Sequence, residues 1–415
     1  MRVLGLIVEY NPFHNGHLYH LEQAKSLCNA DYVLCVMSGN YIQRGEPAIV
    51  NKWARAKMAL QCGVDLIIEL PVPYAMSSAE FFAYGAVKIL NDIGVVDYLC
   101  FGSETADINT FDIIADILVN EPASYKNMLK QELDKGKSFP SARETALKNF
   151  LSEKGTNISD FEAVIGSSNN ILGIEYIKAL KRLKSKITPV TIKRINNSYN
   201  SEELTGSISS ATSIRKLIQS KNGQLDMVLP SNCLNILEEE FNAGRGPIYP
   251  NTYELLIISS IRRMTKEDIR MLPYVSEGME NRIKDAAETS GTWDELIEKI
   301  STKRYTRTRV QRILTSIMAG ITSVDFDNFH KFGGPQYARV LGLNNKGRQL
   351  LSYMNKTSRI PIITKSANFT NSCNPLLRKM LKMEAFATDM YVLGYQNPLY
   401  RKAGQEFTQN VIVIK

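Results

Sequence analysis

Three of the four histidines in this 415-residue chain, His14, His17 and His20, lie within seven residues, just behind a short apolar run; only His330 lies elsewhere. His14-Asn15-Gly16-His17 spells H-x-G-H at the point where that run, Val3–Val8, gives way to a loop and then to helical spacing. Two imidazoles at a strand-to-helix junction can donate hydrogen bonds to phosphate oxygens, beside a helix N-terminus that already favours anions. Gly16 lets the backbone pass close to a ligand. The chemistry that suits this arrangement is attack at a nucleotide α-phosphate, where charge builds on the phosphoryl oxygens in the transition state. An ordinary polar loop is the competing reading of such a short string. The clustering of three histidines behind one strand favours the chemical one.

The elements needed to position these residues follow in order. Val3–Val8 reads as a buried strand stopped by Pro12, with a helix over about His17–Ala30 and a strand at Tyr32–Met37. A glycine-bearing loop (Ser38-Gly39-Asn40 to Pro47) leads to a helix near Asn51–Cys62, a strand at Asp65–Leu70, a helix over Ser77–Ile93 and a strand at Tyr98–Phe101. This alternation predicts a Rossmann-like α/β fold, a parallel sheet with helices on both faces. Ligands of such sheets bind outside the carboxyl ends of the strands. H-x-G-H, Ser38-Gly39-Asn40 and Phe101-Gly102-Ser103-Glu104 all fall on that edge. Further on, residues 166–180 read as a helix and Val190–Lys193 as a strand before Arg194. The segment Gly206-Ser207-Ile208-Ser209-Ser210-Ala211-Thr212-Ser213-Ile214-Arg215 supplies hydroxyl caps for a helix carrying Arg215, whose first amides suit phosphate.

From about residue 225 the strand–helix alternation gives way to helical stretches punctuated by Pro230, Pro247 and Pro250. The length suits two domains, with a nucleotide-binding unit over 1–225 and a mainly helical, basic unit over 226–415. Charge divides along similar lines. Residues 1–165 hold 14 Lys and Arg against 20 Asp and Glu, leaving 36 against 22 in the remainder. A basic half joined to an acidic nucleotide half is the electrostatic footprint of nucleic-acid binding. Lys303–Arg312 packs five cations and a tyrosine into ten residues at the start of an amphipathic helix that buries Val310, Ile313, Leu314 and Ile317. There Arg304, Arg307 and Arg312, with Arg309 at the edge, form a stripe expected to face a phosphate backbone. Lys346-Gly347-Arg348 and Arg262-Arg263 are the rival clusters. The six cysteines show no C-x-x-C spacing, so neither zinc nor a disulfide framework is indicated, and no metal-binding residues are assigned. Met1-Arg2 runs directly into a strand and no apolar run approaches membrane-spanning length, so the expectation is a cytoplasmic protein with no membrane partner.

Longer strings narrow the reading. VEYNPFHNGHLYH, MSGNYIQRGEPAIVNKWARAKMAL, ELPVPYAMSSAEFFAYGAV and FGSE resemble the tRNA(Met) cytidine acetate ligase family of the H-x-G-H nucleotidyltransferases, and the likeness runs along the whole chain. Ser-Ala-Thr-Ser-Ile-Arg (210–215) resembles the second phosphate-binding signature of that superfamily, with Ala211 where a second serine is common. The resemblance implies a two-step reaction. Acetate and ATP give acetyl-adenylate and pyrophosphate, and the acetyl group then passes to the wobble cytidine of elongator tRNA(Met) as N4-acetylcytidine. It also implies that ATP is held by Ile7, Val8, Glu9, Tyr10, Asn11, Pro12, Phe13, His14, Asn15, Gly16, His17 and His20, with Gly102, Asn169, Arg194, Ser210 and Arg215. His14 and His17 would be catalytic. Arg215 and the hydroxyls of Ser210 and Thr212 would hold the outgoing pyrophosphate with magnesium bridging its oxygens.

Two other readings compete. A small-molecule adenylyltransferase of cofactor biosynthesis fits the N-terminal motifs but leaves the basic half without a role. A non-catalytic RNA-binding protein fits the basic half but leaves the histidines without one.

Overall fold

The computed structural model describes residues 1–156, 158, 161–194, 209–220, 224–276 and 278–415. Its strands are β1 (Val3–Val8), β2 (Tyr32–Ser38), β3 (Tyr41–Ile42), β4 (Glu46–Pro47), β5 (Leu66–Leu70), β6 (Tyr98–Ser103), β7 (Thr188–Lys193), β8 (Ala338–Leu343), β9 (Ile362–Ile363) and β10 (Ile412–Val413). The main sheet runs β10-β8-β5-β2-β1-β6-β7, with β9 beside β8, while β3 and β4 form a separate hairpin. Neighbours in the main sheet are parallel except β5 and β8.

Apolar residues on both faces explain the parallel core. Val3, Leu34 and Val36 enter one hydrophobic cluster, whereas Leu4, Leu6, Val33, Cys35 and Met37 enter the other, all fully buried. In order of appearance the strands β5-β2-β1-β6-β7 sit third, second, first, fourth, fifth. The winding therefore reverses between β1 and β6, and a crevice opens over their carboxyl ends. The first helix spans Asn15–Leu27 with His14 as its N-cap, two residues ahead of the start read from the sequence.

The mainly helical C-terminal portion does not keep out of the sheet. β8 lies antiparallel on β5, pairing Leu66 with Leu343 and Glu69 with Arg339, and β9 and β10 pair with β8. Without β8, β5 would present an unpaired apolar edge, a liability that folds avoid. Residues on either side of position 225 consequently share one core, in which Leu66 and Ile68 join a cluster with Val340, Leu350, Leu377 and Met380. Among the described residues, no helix is long and apolar enough to cross a membrane.

A buried charge cluster fastens this junction. Lys52, the first residue of the helix Lys52–Gln61, is fully buried, with its Nζ 2.5 Å from Glu69 of β5. The same Nζ lies 3.3 Å from Glu384, on the helix Pro375–Val392, and 2.8 Å from Glu406. Arg339 of β8 bonds Glu69 at 2.8 Å and pairs with Glu406. Two cations face three carboxylates, and burial followed by the neighbouring Glu69 pushes the Glu384 carboxyl up to about 7. Removing one partner from such a set leaves uncompensated buried charge. Lys52→Met should cost about 3–5 kcal/mol of unfolding free energy. The readout is the guanidinium midpoint, and a midpoint equal to the parent's would show that the cluster does not hold the fold together.

Candidate active site

The crevice over β1 and β6 is a cleft of about 250 Å³. Val8 ends β1 and Tyr10 follows with a left-handed backbone (φ 47), which turns the chain across the strand ends. His14 then caps the first helix. Its Nδ1 accepts from the Gly16 N–H at 3.1 Å, and the His17 Nδ1 accepts from the His14 N–H at 3.3 Å. A ring nitrogen that accepts carries no proton, so in each neutral imidazole the proton sits on Nε2. The two rings stack 3.6 Å apart, and Tyr10 and Phe13 close over His17 at 4.9 and 5.7 Å.

This enclosure sets the charge state. Burial, then Arg194 and Arg215, brings the His14 pKa down to about 3. Burial, then His14, Arg194 and His20, holds His17 well below its ordinary value. Burial, then Arg194, brings His20 to about 4, and its buried Nε2 has no partner among the described residues. Near neutral pH the three are therefore uncharged in the free protein, and the first two present N–H donors rather than cations.

Cationic groups come from other elements. The Arg194 N–H extends the β6–β7 ladder by donating to the Ser103 carbonyl at 3.0 Å. A Cβ on Gly102 would stand 3.2 Å from the Arg194 side chain and 3.6 Å from His20, so a glycine keeps that space. Arg215, on the helix Ala211–Ser220, donates to the Asn11 carbonyl at 3.0 Å and to the Thr212 hydroxyl at 3.4 Å. The Ser210 hydroxyl accepts from the Ser213 N–H at 3.1 Å, as a helix cap does. Asn169 lines the cleft and donates from its Nδ2 to Glu104 at 2.7 Å, which fixes its amide.

Of the residues named from sequence, Ile7, Val8, Glu9, Tyr10, Asn11, His14, Gly16, His17, His20, Gly102, Asn169, Arg194, Ser210, Thr212 and Arg215 line this cleft. Pro12, Phe13 and Asn15 do not. Phe13 is fully buried behind His17, and Asn15 turns away to donate to the Met227 carbonyl at 3.0 Å. Gly206-Ser207-Ile208 lies outside the described residues. Ser38-Gly39-Asn40 shares the strand edge but faces the buried charges instead: Asn40 accepts from the Lys52 N–H and donates to Thr388. From this loop Ile42, Gln43 and Arg44 of the β3–β4 hairpin reach the cleft, and Lys193 and Tyr176 join them from other elements. The signal for the hairpin was Gly45, which holds φ 75 at its turn.

A model of the HIGH nucleotidyl transferase family matches residues 1–406. The chain is 61% identical to a tRNA(Met) cytidine acetate ligase of Acetivibrio thermocellus and 46% identical to one of Halothermothrix orenii, covering at least 99% of every chain. The chain belongs to the tRNA(Met) cytidine acetate ligase family. Its fold matches crystal structures of Thermotoga maritima TmcAL, one bound with alpha-thio ATP (TM-score 0.94) and one apo (0.96). Each is 37% identical and covered over its full length.

In this member of the ligase family the basic stripe expected on residues 304–312 is divided. Arg304 and Arg307 are exposed, and Arg307 pairs with Asp294 at 3.0 Å on the surface. Arg309 instead turns inward to the Tyr274 carbonyl and the Ser276 hydroxyl, both at 2.7 Å. Arg312 is half-buried, lies over the Tyr274 ring and donates to the Ser77 carbonyl at 3.4 Å. Helical spacing alone put all four on one solvent face, but the residue 274–276 segment packs over part of it.

The charge states carry a prediction. In the ligand-free ligase, heteronuclear NMR of labelled histidine should show His14, His17 and His20 uncharged from pH 7.5 to 5.5, with His14 and His17 as Nε2–H tautomers. A titration of any of them near 6.5 would contradict this geometry.

Proposed function

We propose that this protein condenses acetate with ATP to acetyl-adenylate and transfers the acetyl group to the wobble cytidine of elongator tRNA(Met), giving N4-acetylcytidine. One observation carries the reading. The neutral His14–His17 donor pair, Arg194 and Arg215 converge on the β1–β6 crevice of a chain that matches acetate ligases along its length.

Acetate is a weak, anionic nucleophile, so attack on ATP needs phosphate charge neutralised and the reactants aligned. The Nε2–H groups of His14 and His17 would bond the α-phosphate oxygens as they gain charge. Arg215 and the hydroxyls of Ser210 and Thr212 would hold the outgoing pyrophosphate. Asn169 and Arg194 would bind the nucleoside side. Magnesium fits as a partner of ATP rather than as a resident ion. Among the described residues the cleft has one carboxylate, Glu9, and no cluster of three or more His, Cys, Asp or Glu side chains could hold a metal. It would supply further neutralisation of phosphate charge while keeping most of its water ligands. The basic portion, with exposed Arg304 and Arg307, would carry the tRNA, and these substrates place the work in the cytoplasm.

Incubation with labelled acetate, ATP and tRNA tests the reading: acetate-dependent pyrophosphate exchange and N4-acetylcytidine should both appear. AMP transfer to a small molecule without acetate would replace the reading with a cofactor adenylyltransferase, and no turnover at all with an RNA-binding protein. His17→Ala should slow the exchange by about 100-fold or more while tRNA binding persists. Replacing Arg304 and Arg307 together by alanine should leave exchange intact and reduce the salt dependence of tRNA binding by about two phosphate contacts. An unchanged salt slope would move the RNA to another surface.

A further inference from the structure

We propose that Glu9 is the general base of the second half-reaction, accepting the proton that the cytidine amine loses as it attacks the acetyl carbonyl. The inference rests on the ligase reading and goes one step further, because it assigns the proton acceptor.

Among the described residues Glu9 is the only carboxylate lining the cleft, among the cations Arg44, Lys193, Arg194 and Arg215. For binding alone it is a misfit, since a site that admits acetate and a triphosphate is weakened by a fixed negative charge. The structure nonetheless holds it firmly. Its Oε1 accepts from the Gln43 N–H at 2.7 Å, and its backbone carbonyl accepts from Arg55. It stands at the mouth of β1, five residues before His14.

Besides the neutral imidazole of His20, other proton acceptors are scarce among the described residues of the cleft. The Nδ1 atoms of His14 and His17 are spent on backbone N–H groups, and their Nε2 atoms carry protons. Burial keeps the Tyr10 and Tyr176 hydroxyls protonated. The charged and titratable groups facing Glu9 are Arg215, Arg55 and Arg44, from two helices and the hairpin, and Tyr176. Burial raises its carboxyl pKa despite the Gln43 N–H and these arginines, which brings it toward the range useful for a base at neutral pH.

The step balances. The N4 lone pair forms the N–C bond to the acetyl carbonyl carbon, and the C–O bond to the adenylate phosphate breaks, its electron pair leaving with AMP. One N4 proton passes to the Glu9 carboxylate and from there to solvent. The product keeps one N–H and becomes the amide.

The alternative role for Glu9 is a tether for the hairpin through Gln43, and Glu9→Gln separates the two. The glutamine oxygen can still accept from the Gln43 N–H but takes no proton. The experiment measures acetate-dependent pyrophosphate exchange and, in single turnover, acetyl transfer to elongator tRNA(Met) transcript from pH 5.5 to 8.5. Glu9→Gln should slow transfer by about 100-fold more than it slows exchange. Parent transfer should fall with decreasing pH as the base protonates, and that limb should vanish in the variant. Equal slowing of both half-reactions, greater slowing of exchange, or a retained acid limb would overturn the proposal. If Glu9→Gln does not fold, Glu9→Asp, which withdraws the carboxylate by one methylene, must still slow transfer more than exchange, and equal slowing overturns it. Absence of acetate-dependent exchange in the parent would instead overturn the ligase reading, so the two failures are told apart.

Discussion

Two buried cations one turn apart, Lys52 and Arg55, govern the geometry of the strand ends. Lys52 is neutralised by carboxylates from β5 and from the C-terminal helices. Arg55 is satisfied by main-chain carbonyls alone, those of Glu9, Ser38, Gly39 and Val50. An unpaired charge at either position would cost several kcal/mol, so any shift that releases these partners is strongly opposed. The helix Lys52–Gln61 therefore locks the carboxyl ends of β1 and β2 to the C-terminal part of the chain. Glycine is required where these elements meet, because a Cβ on Gly39 would stand 2.6 Å from the Glu69 carboxylate.

That constraint lets the cleft run on hydrogen-bond donors rather than on extra charge. Arg44, Lys193, Arg194 and Arg215 already concentrate positive potential there, and charged histidines would add repulsion that the empty site would have to bear. Burial and the neighbouring arginines keep His14 and His17 neutral, with Nδ1 anchored to the backbone and Nε2–H left for a ligand. Orientation is settled before any phosphate arrives, which is the sense in which preorganised dipoles lower a barrier. Asn169 is fixed in the same way by Glu104, which accepts from its amide nitrogen.

The parts of this arrangement legible in the sequence are those written locally. The runs Val3–Val8 and Tyr32–Met37 are apolar on both faces because their strands are buried on both faces, and the turn at His14–His17 follows directly. Fifteen of the eighteen residues named for the nucleotide site line the cleft, since eleven of the eighteen are contiguous and the loop must cross the strand ends. Pro12, Phe13 and Asn15 do not line it: Phe13 packs into the core and Asn15 bonds the Met227 carbonyl. Ala338–Leu343 was hidden for a different reason. It is a short apolar run inside a helical region, and what makes it a strand is β5, some 270 positions earlier. Arg309 and Arg312 likewise carry the composition of an RNA-binding face. Their partners at Tyr274, Ser276 and Ser77 are set by tertiary packing that helical periodicity does not encode.

The helix Arg307–Ala319 bears on the same question from the other side. Its buried face does not merely fill the core. Thr315 donates to the Gly45 carbonyl at 2.7 Å and Gln311 to the Glu46 carboxylate at 2.9 Å, and a Cβ on Gly45 would collide with the backbone of Arg312. The β3–β4 hairpin that carries Gln43 and Arg44 into the cleft is thus seated directly on this helix, and Gln43 in turn holds the Glu9 carboxylate. A continuous chain of contacts links exposed Arg307 at the start of the helix to Glu9, among the cleft's cations. An acyl-adenylate is prone to hydrolysis, so its acceptor must arrive at the cleft in which it forms. In the proposed reaction, with tRNA held at Arg304 and Arg307, a single helix that presents cations to solvent at one end and seats the β3–β4 hairpin on its buried face would meet that demand without a separate moving part.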